Sequence, residues 1–212
     1  MNSAHDTRYQ STLDFLDSHN LINSNTSILD CGGGTDFIEN FLKTKYPQAS
    51  IDSTSSDLRY DLDIPSDTYD LVLCMEVIEH IKDQDSSIIH DIATFTGSGI
   101  NNLLKECARV LKKNGSLLIT TPNIHSYKVF HNWLHKGDEI FNYHLHPREL
   151  SYKYIEEIAK PLFSRYEYSF QNVWNTFDLH IEHINFYENI LKSNGLDTTN
   201  RKEDDLFFLC VK

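Results

Sequence analysis

A glycine run that follows a short apolar segment is the first feature of this chain that points to ligand chemistry. Residues 28–34 read Ile-Leu-Asp-Cys-Gly-Gly-Gly, and an apolar helical pattern begins at Phe37. Glycines at a strand-to-helix turn allow positive φ and a close approach of backbone to a ligand, so the turn is a candidate nucleotide-binding site. It matches neither GxGxxG nor the GK[ST] of a phosphate loop, and a tight turn made only for packing stays open.

Two other groups of side chains could take part in acid–base or metal chemistry. Glu76, Glu79 and His80 have the i, i+3, i+4 spacing of one helical face. His144 and His146 form a second pair, and an unperturbed histidine titrates near neutral pH. Each of these two is therefore a candidate general base for a hydroxyl nucleophile, with a hydrogen-bonded surface histidine as the alternative.

Composition limits the class of protein. The chain has 212 residues and a formal net charge of −12, which fits one domain and argues against a general binder of phosphate backbones. A local basic patch stays compatible with that charge. No apolar run is long enough to span a membrane, and the start of the chain has no apolar signal-peptide core. The four cysteines are far apart, without a CxxC pair, so we expect no zinc ribbon or disulfide framework and a cytoplasmic location.

Elements that position the glycine turn alternate between strand and helix patterns. Apolar runs predict strands at 27–29, 49–52, 69–75 and 116–121, and helical spacing predicts helices at 7–20, 37–42 and 103–111. Lys112, Lys113 and Gly115 are typical of the end of that last helix. The alternation predicts an α/β fold whose parallel sheet binds ligands at the carboxyl ends of its strands. Residues 166–170 and 206–211 predict two further strands in a hairpin-like end.

Three segments in order resemble the motifs of class I S-adenosylmethionine-dependent methyltransferases. Residues 28–35 resemble the first motif, residues 66–80 the fourth-strand motif and residues 109–123 the fifth-strand block. The resemblance implies a Rossmann-like, seven-stranded, mostly parallel sheet with helices on both faces and an antiparallel final strand. It also implies a single methyltransferase domain over residues 1–212, in which residues 1–24 form an N-terminal helical segment.

The same resemblance implies S-adenosyl-L-methionine as cofactor and assigns its contacts. Asp30 would bind the ammonium group, the glycines would pack against the methionine and ribose portions, and a carboxylate would hold the ribose hydroxyls. Asp52, about 20 residues after Gly32, and Asp57 are both open as that carboxylate, and Asp57 is also open as an adenine contact. The implied cofactor contacts are Asp30, Gly32, Gly33, Gly34, Asp52, Asp57, Met75 and Glu76.

The chain departs from the family pattern in three places. The segment between the second and third strands leaves little room for the usual helix, and Asp36 stands where a glycine is common. Residues 83–99 are longer than in most members, and we expect them to form a substrate-side lid together with residues 124–160.

Methyl transfer to a small-molecule O- or N-nucleophile is the function that the resemblance implies. One alternative is a metal-assisted RNA 2′-O-methyltransferase, because Glu76, Glu79 and His80 also resemble the metal-binding segment of that class. That class adds a later histidine, for which His144 and His146 are candidates here. Another alternative is a catalytically inactive binding scaffold. Two carboxylates and two imidazoles suit a hard divalent ion poorly to moderately, and no obvious basic stripe for RNA is present. We therefore expect a small-molecule acceptor, with no metal, membrane or nucleic-acid partner.

Overall fold

A central sheet with helices on both faces forms the body of the protein. The computed structural model describes residues 4–32, 37–136, 147–173 and 179–212. Among these residues six strands form one sheet: β1 (Ser27–Cys31), β2 (Ser50–Thr54), β3 (Tyr69–Met75), β4 (Leu111–Pro122), β5 (Arg165–Gln171) and β6 (Asp205–Val211). Their order is β2-β1-β3-β4-β6-β5, with β1 to β4 parallel and β6 antiparallel to both β4 and β5.

Helices connect and cover these strands. In chain order they are α1 (Ala4–Ser18), α2 (a π-helical segment, Ile38–Leu42, continued by Lys43–Lys45), α3 (Ile89–Ala93), α4 (Ser98–Val110), α5 (Tyr127–Lys136), α6 (Tyr152–Ala159) and α7 (Ile181–Ser193). None of the described helices is long and apolar enough to cross a membrane.

The four inner strands β1, β3, β4 and β6 are mostly buried on both faces of the sheet, which explains their apolar runs, whereas the edge strands β2 and β5 are exposed or half-buried. Successive side chains of a strand point to opposite faces, so Val72 packs under α4 and α6 whereas Leu71 packs under α1 and α2. The four cysteines are all free and buried. The predicted α/β fold with a mostly parallel sheet and an antiparallel final strand is thus confirmed.

The number of strands differs from the expected seven. Between β2 and β3, residues 55–68 form turns and bends rather than a strand or helix. Side chains of α4 hold this segment by its backbone: Glu106 Oε2 accepts from the Leu62 N–H at 2.7 Å, and Arg109 Nη1 donates to the Ile64 carbonyl at 2.7 Å. These bonds commit backbone groups of Leu62 and Ile64 to α4 rather than to a neighbouring strand.

The end of α4 was also predicted wrongly. The helix ends at Val110, and residues 111–115 already belong to β4. Leu111 pairs with Tyr69 of β3, and Lys112 Nζ donates to Asp70 Oδ2 at 2.9 Å. Sheet pairing therefore overrides the local helix-stop pattern at this point.

Candidate active site at the carboxyl ends of the strands

The order of strands places a crevice above β1. Because β2 lies on one side of β1 and β3 on the other, the connections leave β1 in opposite directions. Open α/β sheets bind ligands at such a switch point, outside the carboxyl ends of the strands. Asp30 and Gly32 stand at this end of β1, and Met75 and Glu76 stand at the same end of β3.

Gly32, in the first predicted motif, lies against Val77 of the fourth-strand motif. Its φ is +118°, a conformation that residues with a side chain rarely adopt, and a Cβ built there would collide with the Cγ2 methyl of Val77. The segment after β3 thus packs directly on the glycine turn after β1. This contact requires glycine at position 32. Gly33 and Gly34 lie outside the described residues.

Glu76 turns the chain away from the sheet edge. Its φ is +54°, its N–H donates to the Thr120 carbonyl at 2.9 Å, and its Oε1 accepts from Thr120 Oγ1 at 2.9 Å. Arg8 of α1 approaches from the other side, with Nη1 3.7 Å from Glu76 Oε2. The glutamate is therefore held between β4 and the N-terminal helix.

The predicted helical face of Glu76, Glu79 and His80 is wrong. Positive φ at Glu76 starts a turn, and only Ile78–His80 form a single 3₁₀ turn. As a result Glu79 points inward and its side chain is 1% exposed, while that of His80 is 43% exposed. No group of three or more metal-ligating side chains is found among the residues that the structure describes.

Two carboxyls beneath the edge are buried. Glu79 Oε2 accepts from Thr121 Oγ1 at 3.0 Å, and burial, followed by the charge of Glu76, raises the pKa of Glu79 to about 8. Asp205 begins β6 and is fully buried, and burial raises its pKa well above the usual value, with Glu76 as the next cause. Both groups hold a proton more strongly than an exposed carboxyl does.

The two candidate ribose carboxylates occupy different places. Asp52 lies within β2, opposite Leu29, and its Oδ2 accepts from the Tyr69 hydroxyl at 3.0 Å. Asp57 lies beyond the carboxyl end of β2 and forms an ion pair with Arg59, whose Nη2 is 2.8 Å from Asp57 Oδ2. That hydrogen-bonded guanidinium lowers the pKa of Asp57. His144 and His146 lie outside the described part of the chain.

Several residues at the edge were not predicted from the sequence. Thr120 and Thr121 are fully buried at the end of β4 and bond the two glutamates. Their position at the end of an apolar strand was the available signal, since buried hydroxyls need partners. Arg8 and Asp205 gave no such signal, because only the fold brings α1 and β6 to this edge.

The segment at 83–99 contacts the predicted second insertion. Arg148 Nη2 donates to Asp83 Oδ2 at 2.7 Å, and the Thr96 N–H donates to the same oxygen at 2.8 Å. The Arg148 guanidinium also lies 4.9 Å from the centre of the Phe95 ring. Residues of both segments line a cavity of about 460 Å³.

Comparison with known proteins assigns the chain to a family. Residues 3–197 match the family model described as a methyltransferase domain. The chain belongs to this methyltransferase family. At the level of the family, the expectations of a class I S-adenosylmethionine-dependent methyltransferase and of S-adenosyl-L-methionine as its cofactor are confirmed.

Individual relatives are distant. The chain is 31% identical over 101 residues to a ubiquinone biosynthesis O-methyltransferase of Bradyrhizobium diazoefficiens, a match that covers 43% of this chain and 33% of that protein. The match therefore spans about a third of the relative's length.

Solved structures with the same fold are still more distant in sequence. An S-adenosylmethionine-dependent methyltransferase of Archaeoglobus fulgidus is 14% identical at a TM-score of 0.59, over 96% of this chain and 94% of that one. Phosphoethanolamine N-methyltransferase 2 of Haemonchus contortus, solved with phosphomonomethylethanolamine and S-adenosylhomocysteine, is 15% identical at a TM-score of 0.58. That match covers 96% of this chain and 52% of the other.

Proposed function

We propose that this methyltransferase transfers a methyl group from S-adenosyl-L-methionine to a small-molecule O- or N-nucleophile. The observation that carries the proposal is the contact between Gly32 and Val77 at the switch point of the sheet. It places the glycine turn after β1 beside the Met75–Glu76 turn after β3, in the crevice where α/β sheets bind ligands.

The side chains at this edge fit the charge of the cofactor. Asp30 and Glu76 supply carboxylates for a ligand that carries an ammonium and a sulfonium, and Gly32 exposes backbone to it. Gly33 and Gly34 would extend that contact. When bound, S-adenosyl-L-methionine supplies an electrophilic methyl group. The protein's own part is to hold the acceptor atom in line with it, and such positioning contributes much of the rate.

The ribose contact is assigned to Asp52 or Asp57. Asp57 stands beyond the end of β2, whereas an oxygen of Asp52 already accepts a hydrogen bond from Tyr69. Isothermal titration of S-adenosylhomocysteine into Asp52→Asn and Asp57→Asn separates the two. The variant of the ribose carboxylate is expected to bind at least tenfold more weakly, since one hydrogen bond to a charged group contributes about 1.5–3 kcal/mol.

For the acceptor side we propose His144 or His146 as the base that takes the proton from a hydroxyl acceptor. We also propose that residues 83–99 and 124–160 close over that acceptor, in one domain of a cytoplasmic enzyme. The excess of negative charge and the distant resemblance to a small-molecule O-methyltransferase support a small acceptor rather than a polynucleotide.

Transfer of a labelled methyl group tests the class of acceptor. The protein is incubated with methyl-labelled S-adenosyl-L-methionine and either a low-molecular-mass cell extract or total RNA, with and without a chelator. Label is expected in the low-molecular-mass fraction, insensitive to chelator and reduced at least tenfold in a His144→Gln, His146→Gln double variant. Chelator-sensitive label in RNA contradicts the proposal, and absence of label with intact cofactor binding favours a scaffold.

A further inference from the structure

We propose that the acceptor is an anionic molecule with an aromatic or flat apolar body, bound in a groove on both sides of His125 and Arg201. This inference rests on the proposed function. The groove consists of two cavities. The inner cavity, of about 360 Å³, includes Phe130, Trp133 and Glu149 in its lining. The outer cavity, of about 400 Å³, includes Tyr152, Lys153, Tyr168 and Phe170. His125 and Arg201 line both.

The inner cavity lies on the cofactor side of the groove. His125 follows closely after β4, whose last residues bond Glu76 and Glu79. Glu149 lines this cavity, and its charge is among the causes that raise the pKa of Glu79. The outer cavity, by contrast, reaches β5 at the far edge of the sheet. The reacting end of the acceptor therefore belongs in the inner cavity.

Arg201 presents a fixed positive charge between the two cavities. Its Nε donates to the Asp197 carbonyl at 2.8 Å and its Nη1 to the His125 carbonyl at 3.2 Å. These bonds orient the guanidinium but leave its charge without a carboxylate in ion-pair contact among the described residues. Lys153 is exposed and likewise forms no ion pair with them, and its Nζ lies 6.0 Å from the Tyr152 ring centre.

Four charged side chains line the groove, namely the cations Arg201 and Lys153 and the carboxylates Glu149 and Asp197. Burial, then the charges of Arg201 and Lys153, lower the pKa of His125. Asp197 also lines the outer cavity, but one of its oxygens accepts from both the N–H and the hydroxyl of Thr199. The groove is therefore formally neutral in a protein with a net charge of −12, and Arg201 and Lys153 are the groups in it that favour an anionic ligand.

Aromatic rings form the walls on both sides of these cations. In the outer cavity Tyr152 stacks on Tyr168 with centroids 4.5 Å apart, and Phe170 stands nearly perpendicular to Tyr168 at 5.9 Å. Phe130 and Trp133 lie 6.3 Å apart in the inner cavity, and the Trp133 side chain is half exposed. Flat, half-exposed rings gain most by covering another flat apolar surface.

Three phenols that differ in the charge of one substituent test the groove directly. The probes are 4-hydroxyphenylacetate, 4-ethylphenol and tyramine, which are anionic, neutral and cationic at neutral pH, and their affinities are measured by ligand-observed NMR titration. We expect 4-hydroxyphenylacetate to bind at least fivefold more tightly than tyramine. Lys153→Gln should weaken its binding at least threefold, and Lys160→Gln, which removes an exposed charge at the end of α6, should not change it.

Arg201→Gln gives a second measurement, with thermal unfolding to show that the variant folds. The variant should bind 4-hydroxyphenylacetate more weakly and bind 4-ethylphenol with unchanged affinity. Three results would contradict an acceptor site in this groove. They are equal affinity for the three probes, no binding of 4-hydroxyphenylacetate, and equal effects of Lys153→Gln and Lys160→Gln. Because no probe experiment uses the cofactor, failure of S-adenosylhomocysteine to bind would count against the proposed function alone.

Discussion

At the scale of single residues, the site depends on glycine at position 32 for two separate reasons. One is its backbone conformation, with φ of +118°, and the other is the methyl group of Val77 that occupies the place of a Cβ. Gly195 provides a natural comparison, because its φ of +67° is also positive but no atom lies within 4 Å of a Cβ built there.

Gly32→Ala should therefore destabilise the protein more than Gly195→Ala. The backbone cost of about 1 kcal/mol applies to both, whereas the clash applies only at position 32. Adding Val77→Ala to Gly32→Ala should recover part of the difference, and S-adenosylhomocysteine should bind Gly32→Ala at least tenfold more weakly. Thermal unfolding and calorimetry check this, and equal losses of stability at the two glycines would contradict the role of Val77.

Glu79 should make stability depend on pH in a particular direction. Its pKa of about 8 in the folded protein lies above the usual 4.5, so the folded state keeps a proton that the unfolded chain releases. The stability that this group contributes is fully present below pH 4.5 and is lost as pH rises through about 8. Stability falls with rising pH because the charged form of Glu79 is buried in the folded protein.

Glu79→Gln should remove this loss, because glutamine can still accept the Thr121 hydrogen bond and has no proton to release. Each pKa unit corresponds to about 1.4 kcal/mol, so we expect the Tm of the variant to exceed that of the wild type by several degrees at pH 9 and by less at pH 5. Glu157→Gln, on the exposed side of α6, is the control. Parallel Tm curves for Glu79→Gln and wild type would show that Glu79 is not a buried neutral acid.

At the scale of elements, α1 packs against residues at the crevice. Arg8 approaches Glu76 at 3.7 Å, and Tyr9 packs on Phe37 and Phe41 of the segment after the glycine turn, with ring centroids 5.3 and 5.1 Å apart. Both contacts join the N-terminal helix to residues at the cofactor edge.

Arg8→Gln should weaken the packing of α1 on these residues without unfolding the sheet. Hydrogen exchange in residues 7–18 is expected to rise several-fold while exchange in β3 and β4 stays unchanged, because the ion pair contributes to docking of the helix only. Arg165→Gln, on the edge strand β5, removes the same charge away from the crevice. Equal exchange in the two variants would mean that Arg8 does not hold α1.

Asp83 should have a similar role for the segment at 83–99. Its Oδ2 accepts from Arg148 and from the Thr96 N–H, and both side chains of the ion pair are less than one-fifth exposed. Asp83→Asn is expected to increase hydrogen exchange across residues 84–97 several-fold, because a charge-assisted pair is lost. The exposed Asp85→Asn should have a smaller effect, and the reverse order would contradict anchoring by Asp83.

Local patterns predicted those elements whose stability is local or whose faces are both covered. β1 and β3 were predictable because continuous apolar runs mark buried parallel strands. The end of α4 and the turn at Glu76 were not, since sheet pairing at Leu111 and the hydrogen bond to the Thr120 carbonyl decide them across the sheet. Likewise the first glycine was identified from its neighbours in sequence, but its dependence on Val77 is a property of the fold.

At the scale of the whole molecule, the net charge of the chain does not determine the charges that line the groove. The net charge of −12 is compatible with two cations, Arg201 and Lys153, in one groove, because short-range fields are set by the nearest groups rather than by the total. Composition argues against a general polynucleotide binder, but it could not locate the cations. Only the meeting of residues 125, 153 and 201 in space does so.

Calorimetric titration with S-adenosyl-L-methionine and S-adenosylhomocysteine, with and without chelator, tests the central claim most directly. We predict micromolar binding of both by the wild-type protein, unchanged by chelator, and no detectable binding by folded Gly32→Val. Absence of binding by the folded wild-type protein, or equal affinity in folded Gly32→Val, would contradict a cofactor site at the crevice between β1 and β3.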